Sequence, residues 1–192
     1  MLGATGTMAY WTDEATVVTS SIQTGTLDLT AGPTTGAEFL SGTGPNSWSF
    51  TAFTMSDIVP NESLSRTVVV RNSGSAAFRF NATVVTSTND LTSGSAGLQV
   101  QVYDNSTAAT ATGSQTNGNR AGDCTGGTLV YTQFVSTTST TSVFATPVTL
   151  ASSGSTRNLC VRAQLNSTAP NSLQGKSTAI TMSFTATQVA AP

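Results

Sequence analysis

Residues 78–85 read FRFNATVV, and this short stretch decides the fold class because apolar and polar side chains alternate along it. Its apolar members are Phe78, Phe80, Ala82 and Val84. Successive side chains of a β-strand point to opposite faces of the sheet, so a period of two predicts a strand with one buried face. The sequence LCVRAQL at residues 159–165 alternates in the same way and places Cys160 on the outer face.

Similar runs recur along the chain between clusters of Gly, Pro, Asn and Ser, which mark turns. The predicted strands are Ala15–Gln23, Thr26–Thr30, Trp48–Met55, Leu64–Arg71, Ala77–Thr86, Leu98–Tyr103, Thr128–Phe134, Val143–Leu150, Asn158–Leu165 and Thr178–Gln188. Apolar residues nowhere repeat at helical spacing over two turns, so no helix is predicted. Many short strands in a chain of 192 residues predict an all-β domain built as an antiparallel sandwich. Between Ser106 and Asp123 the composition predicts a long exposed loop.

The composition argues against several classes of function. Charged residues make up 8% of the chain and the net charge is −2, so no basic field is available to attract nucleic acid. The chain has no histidine, which removes the commonest general base and the commonest catalytic zinc ligand. No apolar run reaches the length of a membrane span. We therefore expect a protein that is not an enzyme and has no cofactor, nucleic-acid partner or membrane span.

Neither the carboxylates nor the tryptophans form a recognisable site. Asp13 and Glu14 are adjacent, and neighbouring strand residues point to opposite faces, so this pair cannot converge on one substrate. The loop aspartates considered as calcium ligands lack the spacing of a calcium-binding loop; they are Asp57, Asp90, Asp104 and Asp123. Trp11 and Trp48 are candidates for a sugar platform, but Trp48 alternates with Phe50, which favours core packing. No catalytic residue and no metal ligand is predicted.

The two cysteines, Cys124 and Cys160, admit two interpretations. They are either two buried free thiols or one disulfide, and we prefer the disulfide because it suits an exported protein. Closing the loop between them is worth about 3.8 kcal/mol in the chain-entropy model. Since Cys160 faces outward, the bond is expected to tie the end of the loop at residues 106–123 to the sheet.

Four N-x-S/T sequons permit N-glycosylation in an exported protein, and they begin at Asn61, Asn81, Asn105 and Asn166. Asn81 and Asn166 adjoin predicted strands, whereas Asn105 begins a run of Ser, Thr, Ala and Gly. Asn105 is therefore expected to be the most accessible acceptor. Ser and Thr supply about a third of the chain, so most such matches arise by chance.

The first eleven residues, MLGATGTMAYW, form an uncharged and partly apolar segment ahead of the first acidic residue, Asp13. The small residues up to Ala9 resemble the end of a secretion signal. As a strand, the segment would place Leu2, Met8 and Tyr10 on one face with small residues between them. Such a segment needs a partner, which is either its own domain or another copy of the chain.

Several stretches resemble the TasA/camelysin family, whose members are secreted through SipW-type signal peptides. The first is AYWTDEATVVTSSIQTGTLDLTAG at residues 9–32, followed by IVPNESLSRTVVVRNSGSAAFRF at residues 58–80 and MSFTATQ at residues 182–188. CTGGTLVY at residues 124–131 and LCVRAQL are similar to the actinobacterial branch. The resemblance implies a jelly-roll sandwich, export to the cell surface or beyond, and a role as the subunit of an extracellular biofilm-matrix fibre.

In that family the fibres grow by strand donation, so the resemblance implies a donor segment at residues 1–14 and a sandwich domain at residues 15–192. The expected donor residues are Leu2, Gly3, Ala4, Thr5, Gly6, Thr7, Met8, Ala9, Tyr10 and Trp11. The partners implied are neighbouring copies of the same chain in a homopolymer, with other matrix components as further candidates. Camelysin is also classed as a metallopeptidase, but that activity is not carried over to a chain without histidine.

Two alternatives stay open at this point. Residues 1–14 can instead fold back as an edge strand of their own domain, which would give a monomer. The corresponding function, from a different class, is a monomeric secreted module that binds a carbohydrate or a host ligand at the cell surface.

Overall fold

The computed structural model describes residues 25–36, 39–41, 55–106, 108–138, 141–152 and 154–189. Its strands are β1 (Leu29–Gly32), β2 (Phe39–Ser41), β3 (Ser63–Asn72), β4 (Phe78–Thr86), β5 (Leu98–Asp104), β6 (Ala108–Thr112), β7 (Ala121–Thr125), β8 (Thr128–Phe134), β9 (Val148–Leu150), β10 (Thr156–Leu165) and β11 (Ile180–Gln188). The helical content of the described residues is one 3-10 turn at Asn171–Leu173. The predicted all-β fold is confirmed.

The strands form two sheets and a separate hairpin. The large sheet has the order β2-β1-β3-β10-β5-β8, the small sheet has the order β11-β4-β9, and β6 pairs with β7. Every pairing between these strands is antiparallel, as predicted. The jelly-roll connectivity implied by the resemblance stays a prediction.

The core lies between the two sheets and consists of the inward-facing rows that the alternation predicts. From β4 it takes Phe78, Phe80, Ala82 and Val84, and from the large sheet it takes Val68, Val70, Val100, Val102, Leu159 and Val161. The ring of Phe80 meets the ring of Phe144 edge to face, with centroids 5.5 Å apart. Aromatic rings prefer this geometry, so the contact stabilises the centre of the sandwich.

Most predicted strand positions agree with the structure. The strand Thr128–Phe134 has the predicted bounds, and the strands predicted at 64–71, 77–86, 98–103, 158–165 and 178–188 are each observed within two residues at either end. The strand predicted at 26–30 is displaced: the observed strand, Leu29–Gly32, begins three residues later and ends two residues later. Upstream of it, the carbonyls of Thr26 and Asp28 bond to the turn at residues 73–76. The prediction at 15–23 lies outside the described residues, as does all of the one at 48–55 except Met55.

The strand predicted at 143–150 is too long, since only Val148–Leu150 is a strand. Val143 and Phe144 are buried as expected, but they are not part of a strand: the amide of Val143 donates to the carbonyl of Ala82 (2.7 Å), and Phe144 bonds to the side chain of Asn81. Pro147 comes directly before the observed strand and has no amide hydrogen to donate. The ladder therefore begins only after the proline.

Candidate functional site

The predicted donor residues 2–11 and the predicted domain boundary at residue 14 lie outside the described residues. The same holds for Asp13, Glu14, Trp11 and Trp48. The structure therefore describes the surface that would receive a donated strand but not the donor. The candidate receivers are the edge strands of the two sheets.

β11 lies at one end of the small sheet, and its odd-numbered residues bond to β4. The amide of Val189 donates to the carbonyl of Ala77 (3.0 Å), and the amide of Ser87 donates to the carbonyl of Ala179 (2.9 Å). In an antiparallel pair, residues that exchange hydrogen bonds alternate with residues whose main-chain groups point away from the partner. The even-numbered residues of β11 therefore direct their amides and carbonyls toward the edge opposite β4.

The same even-numbered residues carry the apolar side chains of the strand: Ile180, Met182, Phe184 and Ala186. All of them pack against the core, yet each stays partly exposed, whereas Phe78 and Phe80 on β4 are fully buried. Within the described part of the chain, β4 is the only strand paired with β11. We name Ile180–Gln188, with this apolar row and the outward main-chain groups, the β11 edge. An edge of this kind is the surface to which a further strand adds.

The edge of the large sheet at β8 differs from the β11 edge. Its inward-facing Tyr131 is already buried at 5% exposure, and its neighbours Thr132 and Gln133 are exposed polar residues. β8 also carries apolar surface, because Leu129 is 42% exposed and Phe134 is partly exposed, but neither packs against the core, whereas all four apolar residues of the β11 row do. Of these two edges, the β11 edge is the one at which an added strand would cover a row of core-packed apolar side chains.

The prediction of a long exposed loop between Ser106 and Asp123 is wrong, because β6 and β7 pair there as a hairpin. This hairpin lies on the outer face of β3 and β10 and adds a third layer to that part of the molecule. The composition did not indicate it, because the hairpin is held by main-chain contacts to the sheet and not by an apolar row of its own.

The predicted disulfide between Cys124 and Cys160 is confirmed, which excludes the alternative of two free thiols. It joins β7 to the outer face of β10 across a Cα–Cα distance of 5.8 Å. Cys160 faces away from the core, as the alternation in LCVRAQL predicted, and the hairpin buries it completely. The bond therefore ties a surface element to the sheet, and the tied element is a hairpin instead of a loop.

Two serines of β3 and a glycine of β7 fix the position of the hairpin. The hydroxyl of Ser63 donates to the carbonyl of Gly122 (3.0 Å) and accepts from its amide (2.9 Å). The hydroxyl of Ser65 lies 2.7 Å from the carbonyl oxygen of Thr110 and 2.8 Å from that of Asp123. A Cβ atom on Gly122 would lie 2.3 Å from the amide nitrogen of Ser65, so only glycine permits this approach.

A buried ion pair joins Arg120, directly before β7, to Glu62, directly before β3. Glu62 is 1% exposed, and its carboxylate accepts hydrogen bonds from Arg120 Nε (2.9 Å), Arg120 Nη2 (2.7 Å) and the main-chain amides of Arg120 and Val59 (3.0 Å each). The side-chain hydrogen bond from Arg120 lowers the pKa of Glu62 from 4.5 to about 2, against the opposing effect of burial. Nothing in the sequence signals this pair, since its members are 58 residues apart.

The stability of the protein is expected to fall in acid because of Glu62. A carboxylate with a lowered pKa stabilises the folded state above its unfolded pKa, and the contribution disappears as the pH falls from 4.5 to about 2. The loss from this group is about 3 kcal/mol in the free energy of unfolding. Urea titrations at neutral pH and at the bottom of this window measure it, and in Glu62→Gln the difference between the two conditions should shrink by that amount. An unchanged difference in Glu62→Gln would contradict the assignment.

The four sequons have different surroundings. Asn81 is engaged within the fold, because its side chain donates to the carbonyl of Phe144 (2.9 Å) and accepts from the amide of Phe144 (3.1 Å). Asn61 and Asn105 are both exposed, and the expectation that Asn105 is the most accessible acceptor stays a prediction. At Asn166 the side-chain oxygen accepts from the amide (2.9 Å) and the hydroxyl (2.8 Å) of Thr168. A glycan on Asn81 would break its contacts with Phe144, which leaves the other three as candidates.

The aspartates considered as calcium ligands do not share a common partner. Asp104 pairs with Arg157 through both carboxylate oxygens, Asp57 accepts from Gln115 (2.7 Å), and Asp123 accepts from the amide of Cys124 (2.9 Å). Asp90 is exposed. Among the described residues, no three side chains of His, Cys, Asp or Glu come together in a way that could hold a metal ion. The described part of the chain also contains no helix with the length and hydrophobicity that a membrane crossing requires.

Comparison of the sequence with protein-family models gives no match, and comparison with curated proteins gives no match either. The resemblance to the TasA/camelysin family therefore depends on the quoted stretches alone, and what it implies enters the next subsection as a proposal.

Proposed function

We propose that this protein is the structural subunit of an extracellular filament of the biofilm-matrix type and that it polymerises head to tail by donating residues 2–11 to the next copy. The observation that carries the proposal is the β11 edge, where a partly exposed apolar row lies beside main-chain groups that point away from β4. The confirmed disulfide supports the further proposal that the protein is exported, since such bonds persist in oxidising compartments.

The expected geometry of the joint is that of an added antiparallel or parallel strand beside β11. The donor would bond to the amides and carbonyls of the even-numbered residues of β11, and its apolar face would cover Ile180, Met182 and Phe184. A donor and a receiver at different places on one chain form a heterologous contact. Such a contact propagates as a filament when its rotation does not close into a ring.

The experiment that tests the receiver is a proline substitution on the β11 edge. Ala186→Pro removes an amide that points away from β4, so the pairing with β4 is expected to survive while the added strand loses a bond. We expect this variant to stay monomeric in size-exclusion chromatography and to show no filaments by negative-stain electron microscopy. Its melting temperature, compared with that of the unchanged chain, checks that the sandwich is intact.

The matched control is Thr132→Pro on the β8 edge of the large sheet. The amide of Val135 donates to the carbonyl of Leu98 (3.1 Å), so Gln133 and Tyr131 also exchange hydrogen bonds with β5 and the amide of Thr132 points away. Filaments are expected to form normally in this variant. If Ala186→Pro forms filaments and Thr132→Pro does not, β8 is the receiver and the assignment to β11 is wrong.

A further inference from the structure

Among the elements that the structure describes, the hairpin covers only part of the outer face of the large sheet. β6 and β7 lie over β3 and β10, and β5 and β8 continue the sheet beyond them. Cys160 on β10 lies under the hairpin and is the register partner of Tyr103 on β5, so the uncovered area begins directly beside the disulfide. The uncovered area is therefore a shelf, with the hairpin along one side and the β8 edge along the other.

The register between β5 and β8 determines which side chains form this shelf. On β5 the outward residues alternate with the buried Leu98, Val100 and Val102, and each has a partner on β8. The three pairs are Tyr103 with Leu129, Gln101 with Thr132, and Gln99 with Phe134. A register shift between Val102 and Tyr103 places Leu129, and not Val130, opposite Tyr103. We name these six residues the outer shelf. Aromatic rings lie at its two ends, and amide and hydroxyl groups lie between them.

The outer shelf is accessible and uncharged. Leu129 is 42% exposed, Thr132 is exposed, and Tyr103, Phe134, Gln99 and Gln101 are partly exposed. The charged neighbour is Arg162, which donates from Nη1 to Oε1 of Gln101 (3.0 Å) and from Nε to the carbonyl of Gly122 (2.7 Å). Arg162 thereby holds the Gln101 oxygen, so the two hydrogens of the Gln101 amide are left to donate to a ligand.

We propose that the outer shelf binds an extended, uncharged polysaccharide chain. Tyr103 and Gln99 are four residues apart on β5, so the aromatic ends of the shelf are separated by about 13 Å along the strands. A single sugar ring would not reach both ends, but a linear chain lying along the strands would. Aromatic rings pack against the C–H surfaces of sugars, and the Gln101 amide and the Thr132 hydroxyl between the two ends would bond to sugar hydroxyls.

The absence of carboxylates from the six residues of the shelf favours an uncharged chain over a cationic one. Arg162 is the described cation that contacts the shelf, and its guanidinium already bonds to Gln101 and Gly122, which argues against an anionic chain. This inference is independent of the proposed filament, because the outer shelf and the β11 edge lie on different sheets. Failure of one would leave the other unaffected.

The test is affinity electrophoresis of the full chain in native gels that contain hydroxyethyl cellulose, xylan or dextran, with mobility compared to a gel without polysaccharide. We expect retardation in at least one of these gels. Tyr103→Ala and Phe134→Ala should each weaken binding by about tenfold or more. Tyr103→Phe and Phe134→Tyr preserve the ring and should bind within about twofold of the unchanged chain.

Two threonine-to-alanine variants, one inside the outer shelf and one outside it, supply the matched control. Thr132→Ala removes a hydroxyl from the outer shelf, whereas Thr149→Ala removes an exposed hydroxyl from β9 in the small sheet. Binding should weaken in the first and stay unchanged in the second, with melting temperatures confirming that both are folded. The inference is overturned if no neutral polysaccharide retards the protein, if only an acidic one such as alginate does, or if both aromatic-to-alanine variants bind as the unchanged chain.

Discussion

A chain that lacks residues 1–11 is expected to stay a monomer at concentrations at which the full chain forms filaments. The deletion removes the proposed donor and none of the described residues of the β11 edge or the core, so no copy is expected to complete its neighbour. Size-exclusion chromatography with light scattering gives the mass of the particle, and negative-stain electron microscopy shows whether filaments are present. Filaments of unchanged appearance in the deletion variant would contradict the donor assignment.

Adding back the donor distinguishes strand donation from a general loss of stability. A synthetic peptide with the sequence of residues 2–11 should bind the deletion variant and raise its melting temperature, because a ligand that binds only the folded state stabilises it. The same peptide with Leu2 and Met8 replaced by Asp should not bind, since charges would face the apolar row of β11. Binding of the peptide should be absent in the deletion variant that also carries Ala186→Pro, because donor and receiver belong to one joint.

Arg120→Met is expected to lower the free energy of unfolding by about 3–5 kcal/mol, because it leaves the carboxylate of Glu62 buried without its partner. Glu62 is 1% exposed, so water cannot replace the lost hydrogen bonds. Urea denaturation at neutral pH measures the change, and an unchanged slope with denaturant confirms that the same surface is exposed on unfolding.

Arg157→Met makes the same chemical change at the second ion pair and is the matched control. The side chains of Arg157 and Asp104 are 34% and 13% exposed, so solvent compensates more of the loss there. We expect a cost of about 1 kcal/mol or less for Arg157→Met. Equal costs at the two sites would show that burial of Glu62 is not what makes its pair important.

The sequence alone determined the strand content and the direction of side chains within strands. The alternation of Phe78, Phe80, Ala82 and Val84 predicted their burial, and the same argument placed Cys160 on the outer face. These predictions succeed because the pleat of a β-strand is a local property with a period of two, which any stretch of a few residues reveals.

Only the tertiary structure decided which strands lie side by side, and therefore which strands are the edges of the described sheets. The sequence of β11 predicts a strand but not its position at the end of the small sheet, and the stretch at residues 106–123 does not reveal a hairpin held by Ser63, Ser65 and Gly122. Glu62 and Arg120 likewise meet across 58 residues of chain. Such contacts join distant segments through main-chain groups and single side chains, so no local pattern of hydrophobicity records them.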